Sequence, residues 1–188
     1  MVNETAITAW ALRVMLGWVS PPSTEAEMER LRGIARDAAV VAFDETEKPV
    51  FPGAQGRLKT LSLMLGIASY ESDGFLAVTD SGERRGDSGS SWCLMQIHLP
   101  GGVKISPKGQ FYQYGVGWTG RDLVNDRQKC FRMGLHIARE SIQACKNLSV
   151  YSSGKCRRDD SEPKARERYA RAKLVWRSMR EEDSEFES

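Results

Sequence analysis

A chain of 188 residues with 40% apolar and 28% charged residues is long enough to bury its own core and is not composed like a disordered tract. Lys and Arg number 27 against 25 Asp and Glu, so the charge balance points to no polyanionic partner and nucleic acid is not expected as a ligand. No apolar run approaches the ~20 residues of a bilayer span, and the four cysteines and two histidines lack zinc-ligand spacing, so neither a membrane span, a metal nor another cofactor is expected.

Residues 5–18 have a helical stripe of Ile7, Trp10, Ala11, Val14 and Trp18, ended by Pro21-Pro22. Glu4 stands where a signal peptide needs a basic segment, and Arg13 interrupts the apolar part, so no cleavable leader is expected here. Thr24-Glu25-Ala26-Glu27 has the pattern of a capping box and opens a helix with Met28, Leu31, Ala35, Ala38 and Ala42 on one face. Pro49 to Gly56 reads as a loop. From Arg57 to about Tyr70 the chain is apolar all round after Thr60, the signature of a buried helix, and Gly74 is placed to stop it.

Residues 75–120 are rich in Gly and Ser and predict loops with a small β-hairpin. Thr119-Gly120-Arg121-Asp122 resembles a second capping box leading into a long helix with Phe131, Leu135, Ala138, Ile142 and Cys145 inward. Residues 147–162 read as a polar loop. A last helix begins near Pro163 and buries Ala165, Tyr169, Ala172, Trp176 and Met179. Residues 155–180 are basic, and the acidic residues 181–188 read as a frayed tail. The expected fold is therefore mainly α, with a central buried helix and a loop-rich or hairpin insertion. Residues 1–50 are expected as N-terminal helices packed on the same domain, 51–180 as its main body and 181–188 as the tail.

The acidic residue at the end of the most buried helix, Glu71, is the candidate for chemistry. Desolvation and the negative end of the helix dipole both disfavour its charged form. A protonated carboxyl near neutral pH is what a glycosidase needs to protonate a leaving oxygen. The alternative is an ordinary exposed Glu in a last helical turn.

Downstream residues bear on that choice. Gly86-Asp87-Ser88-Gly89-Ser90-Ser91-Trp92-Cys93-Leu94-Met95-Gln96 resembles the glycine-rich stretch ending in Gly-Leu-Met-Gln of goose-type lysozymes and lytic transglycosylases, with Cys93 where Gly is usual. Glu71-Ser72 resembles the family's Glu-Ser pair. Val150-Tyr151-Ser152-Ser153-Gly154 resembles its Ala-Tyr-Asn-x-Gly motif with Ser for Asn, and Glu167-Arg168-Tyr169 resembles its late Tyr-bearing helix. The resemblance runs in family order from about residue 57 to 177. His98 stands where goose-type lysozymes commonly have a second Asp.

The resemblance implies a lysozyme-like (α+β) domain that cleaves the β-1,4 bond between N-acetylmuramic acid and N-acetylglucosamine, with Glu71 as acid. It implies Gln96 as a sugar contact and loop brace, Tyr151 as a cleft wall and Tyr169 as a hydrogen-bond partner of Glu71. Ser72 and Met95 join the substrate-binding set. Core packing is the alternative for each, and Trp92 and Trp118 are either sugar platforms or core.

Lytic transglycosylation, in which the muramic acid 6-hydroxyl attacks, is preferred over hydrolysis. An inverting muramidase needs a second carboxylate, for which Asp87 is the best candidate, although Asp-Ser-Gly is also turn chemistry. Two other classes stay open: a cysteine peptidase using Cys93 with His136 or His98, and an inactive structural virion protein. The expected partner is the glycan strand of bacterial peptidoglycan, with other virion or tail proteins as further candidates. Synthesis in the cytoplasm with action from the virion, or in the host periplasm and cell wall, is the expected location. Among cysteine pairs Cys145–Cys156 is preferred to Cys93–Cys130, but cytoplasmic synthesis favours free thiols over either.

Overall fold

The structure, a computed structural model, describes residues 4–99, 118–153, 156, 166–174 and 176–177. The loops expected at 100–117, most of the polar segment at 154–162, the start of the last helix near Pro163, Ala165, Met179 and the acidic tail lie outside the described residues. What is described is mainly helical, with one two-stranded sheet.

Helix α1 (Glu4–Leu16) buries Ile7, Ala11 and Met15, an i, i+4, i+8 stripe. Helix α2 (Glu25–Phe43) is capped by Thr24, whose hydroxyl accepts from Glu27 N–H at 3.1 Å. The Glu27 carboxylate reaches back one residue further than a capping box requires, to Ser23 N–H at 2.9 Å. The face of α2 carries Leu31, Ile34, Ala35, Ala38, Val41 and Ala42 inward. Its small residues let α1 and α3 approach closely, and the N-terminal helices share a core with the rest of the chain.

Helix α3 (Gly56–Glu71) is the centre of the molecule. Every residue from Thr60 to Ser69 is buried. The polar ones among them are satisfied locally: the Thr60 hydroxyl donates to Gly56 O, and that of Ser62 to Leu58 O. Helices α1, α2 and α6 surround α3. At Gly66 a Cβ would come within 2.7 Å of Ala172 N in the last helix, so that backbone rests directly on α3. At its end Ser72 N–H donates to Ala68 O and Gly74, at φ 80°, donates to Ser69 O.

A one-turn helix, α4 (Ala77–Asp80), and a 3-10 turn at Asp87–Gly89 lead into the expected hairpin. Strands β1 (Ser91–Trp92) and β2 (Ile97–His98) are antiparallel, pairing Ser91 with His98 and Trp92 with Ile97. Beyond it the single long helix expected is divided. Helix α5 (Gly120–Asn125) has the Thr119/Asp122 capping box, and Asp126 then breaks the helix and caps the next by accepting from Lys129 N–H. Helix α6 (Arg127–Cys145) follows, buries Phe131, Leu135 and Ala138, and ends at Lys146 in a left-handed conformation.

Part of the expected polar loop is also helical. Helix α7 (Ser149–Ser153) starts where Asn147 Oδ1 accepts from Ser149 N–H and Ser141 Oγ of α6 accepts from Val150 and Tyr151 N–H, so a local side chain and a buried hydroxyl of another helix together satisfy its first donors. Residues 166–174 form helix α8.

All four cysteines are bridged, which corrects the expectation of free thiols. Cys93 joins Cys130 with Cα atoms 6.2 Å apart, tying the hairpin to α6, and Cys145 joins Cys156 at 5.4 Å. Both separations lie within the ordinary range of such bridges.

Candidate active site

Glu71 ends α3 and its side chain is 13% exposed. Four elements converge on it or on its neighbours: α3, the hairpin, α7 and α8. Arg168 of α8, with a side chain 5% exposed, is a direct partner. Its Nε donates to Glu71 Oε1 at 2.6 Å, and its Nη2 donates to the same oxygen. Its Nη1 donates to Ser152 Oγ of α7 at 2.9 Å. The guanidinium lies 4.6 Å from the Tyr70 ring centre and 5.7 Å from that of Tyr151, the distances of cation–π contact.

Tyr151 links this group to the hairpin, because its hydroxyl donates to Met95 O at 2.7 Å. Burial, and next the charge of Glu71, push its ionisation well above the usual phenol value against the opposing pull of Arg168. The phenol therefore stays a neutral donor. Gln96 locks the hairpin turn: its Oε1 accepts from Gly86 N–H at 2.8 Å and its Nε2 donates to Cys93 O at 3.0 Å.

Asp87 sits in the turn before β1 at φ 47°. Its carboxylate is 68% exposed, accepts from Ser91 Oγ at 2.6 Å and lies 3.5 Å from His98 Nδ1. It is at once a turn former and an exposed carboxylate, so both readings of the residue keep their geometric basis.

Several expectations need correction. The hydrogen bond expected from Tyr169 to Glu71 is made by Arg168 instead, and this buried cation opposes the desolvation and helix-end effects expected to disfavour the charged form of Glu71. Tyr169 packs on the core, where burial pushes its hydroxyl up to about 12. Ser72 is 1% exposed and serves as a cap, donating to Ala68 O at 2.6 Å and accepting from Phe75 N–H at 2.8 Å, so it has no surface to offer a substrate. The Met95 side chain is fully buried against Gly134, and only its carbonyl takes part, through Tyr151. Trp92 is wedged between Arg85, 4.3 Å from its ring centre, and Gly120, where a Cβ would fall inside the indole; it is packing and not a platform. Trp118 is half-buried against the core, with Lys129 5.6 Å from its ring. The peptidase alternative loses its nucleophile, since Cys93 is bridged to Cys130.

The residue that the sequence reading missed is Arg168. It lies beside Tyr169 on the stripe 165, 168, 169, 172, 176, so helical period alone places it on the buried face. A buried arginine implies a buried anion to meet it.

The other described ion-pair groups are structural. Asp80 takes a bidentate pair from Arg127 at 2.8 and 2.9 Å beside an open groove of about 510 Å³. Glu47, 4% exposed, is held by Arg132 at 2.9 Å and Arg139 at 3.3 Å.

Comparisons of the chain with protein-family models, with characterised proteins and with solved structures return no match.

Proposed function

We propose that this protein is a peptidoglycan-cleaving glycosidase of lysozyme-like fold, with Glu71 as the general acid. The observation that carries this reading is the convergence on one buried helix end. Glu71 lies with Arg168 and Ser152, and Tyr151 ties that cluster to the hairpin of Leu94-Met95-Gln96. These motifs are scattered over about 100 residues of sequence, and their meeting at one helix end supports a shared site.

In the proposed reaction Glu71 donates its proton to the β-1,4 oxygen between N-acetylmuramic acid and N-acetylglucosamine, and the glycosidic bond breaks as the leaving hydroxyl forms. In the transglycosylase course Glu71, now a carboxylate, takes the proton of the muramic acid 6-hydroxyl as that oxygen closes on the anomeric carbon. No second carboxylate is needed. Met95 O and Tyr151 form the fixed wall beside the acid, while Gln96 holds the turn that carries it.

The inverting-hydrolase course is the second reading, and one observation favours it. Asp87 is exposed and its carboxylate is held by Ser91 and His98, a supported position from which to activate water. The two bridges support action in an oxidising medium, as expected for a virion-borne or wall-directed enzyme.

Mass analysis of muropeptides from purified peptidoglycan tests all of this. A 1,6-anhydro end identifies transglycosylation and a reducing end hydrolysis. Absence of both, from a folded and oxidised preparation, leaves an inactive structural protein.

A further inference from the structure

Arg168 has no role in the family resemblance, yet it holds the proposed acid directly. Both members of the pair are shielded from solvent, where attraction between charges is screened far less than at the surface. Two donors of the guanidinium converge on one oxygen, Oε1, a third holds Ser152, and two aromatic rings flank its plane. A rigid planar fork fixed at so many points fixes the carboxylate as well. We propose that Arg168 is a positioning residue for the acid: it aims Glu71 through Oε1 and sets how readily the carboxyl takes up the proton it must deliver. The catalytic part of this inference rests on the glycosidase reading above.

Charged and titratable groups surround the pair on several elements. Helix α8 supplies Arg168 and Arg171, the latter donating to Ser69 Oγ at 2.8 Å and lying 5.5 Å from the Tyr70 ring centre. Helix α3 supplies Tyr70, and α7 supplies the neutral Tyr151. On the hairpin side Asp87 and His98 face each other, and beyond the end of α3 Asp73 is paired with Arg84 at 3.4 Å. Arg171 is itself paired with Glu167 of the same helix at 3.7 Å, so Arg168 is the cation set directly on the acid, and a nearby cation favours a carboxylate over its acid. Removing Arg168 therefore leaves Glu71 protonated to higher pH, and the alkaline limb of activity moves up. At low pH, where the acid is protonated either way, the loss of aim remains and kcat falls with KM nearly unchanged.

Two variants separate charge from shape. Arg168→Gln keeps a planar hydrogen-bonding head without the charge, and Arg168→Lys keeps the charge without the fork. NMR titration of isotope-labelled Glu carboxyls, with Glu71 assigned through Glu71→Gln, reads protonation whether or not the protein is active. Muropeptide release across the same pH range reads catalysis. The expected result is a Glu71 midpoint higher by about one pH unit or more in Arg168→Gln and close to wild type in Arg168→Lys, with the release limb following. Coincident midpoints in wild type and Arg168→Gln overturn the proposal. A moved midpoint with no release by wild type at any pH sinks the glycosidase reading and leaves the hold of Arg168 on Glu71 standing. If Arg168→Gln does not fold, Arg168→Lys decides: wild-type release at every pH overturns the positioning role, and a uniform fall with an unmoved limb supports it.

Discussion

Cys93 shows how a single position joins backbone conformation to the site. It adopts φ 58°, in the left-handed region where glycine is free and other residues are strained. Its side chain is bridged to Cys130, so this turn of the hairpin is tied covalently to α6. Glu71→Gln keeps nearly the same volume, so we expect native circular dichroism and a loss of muropeptide release of about 100-fold or more. Asp87→Asn discriminates the two courses. The transglycosylase course expects a loss below about tenfold, and the hydrolase course expects one comparable to Glu71→Gln. The place of Glu71 at the end of the buried helix was legible in sequence, because a helix with no polar face points to its own last polar residue. The role of Ser72 was not, because a hydroxyl that caps a helix and one that binds a sugar look alike until burial is known.

Elements were legible where hydrophobic period was long. Helices α1, α2 and α6 follow their stripes and α3 its all-round apolar run, although Met15 completes the α1 stripe and was not anticipated. Short elements were less legible. Helix α7 takes part of its cap from Ser141 of another helix, a tertiary effect, and only the Asn147 side chain before it is a local signal. The break at Asp126 follows from a second capping residue inside what looked like one helix. The packing of α8 on α3 gives an element-scale prediction. Gly66→Ala drives a Cβ against backbone atoms of Ala172 at 2.7 and 2.9 Å, which cannot rotate away. We expect a loss of about 1–3 kcal/mol in urea unfolding. Activity should fall further than stability alone explains, because Arg168 lies one turn earlier on the displaced helix.

The whole molecule is held by a core around α3 and by long-range ion pairs that the sequence did not reveal, since partners such as Asp44 and Arg132 are far apart in the chain. Asp44 accepts from Thr46 and from Arg132, and these bonds, Thr46 foremost, lower its carboxyl to about 2. The unfolded value is about 3.9. A depressed native value means stability that is fully present above the unfolded value and lost as pH falls towards about 2. Asp44→Ala should therefore be less stable than wild type at neutral pH, and the two urea midpoints should converge as pH falls from about 4 to about 2. The bridges act on the same scale. Chain-entropy arguments assign on the order of 3 kcal/mol to Cys145–Cys156 and on the order of 4 kcal/mol to Cys93–Cys130. Thiol reductant should lower the melting temperature, and it should lower activity too by loosening the hairpin and α7 beside Glu71.

The Cys93–Cys130 bridge has one more consequence, which is topological. It spans a sequence separation of 37 residues and closes a covalent ring through the hairpin, α5 and the start of α6. A protease that cuts the main chain once anywhere between these cysteines opens the ring but does not divide the molecule. The cut chain should migrate as one species on a denaturing gel without reductant and as two with it. Both fragments remain tethered through Cys93 of the hairpin turn and Cys130 of α6 for as long as the surroundings stay oxidising.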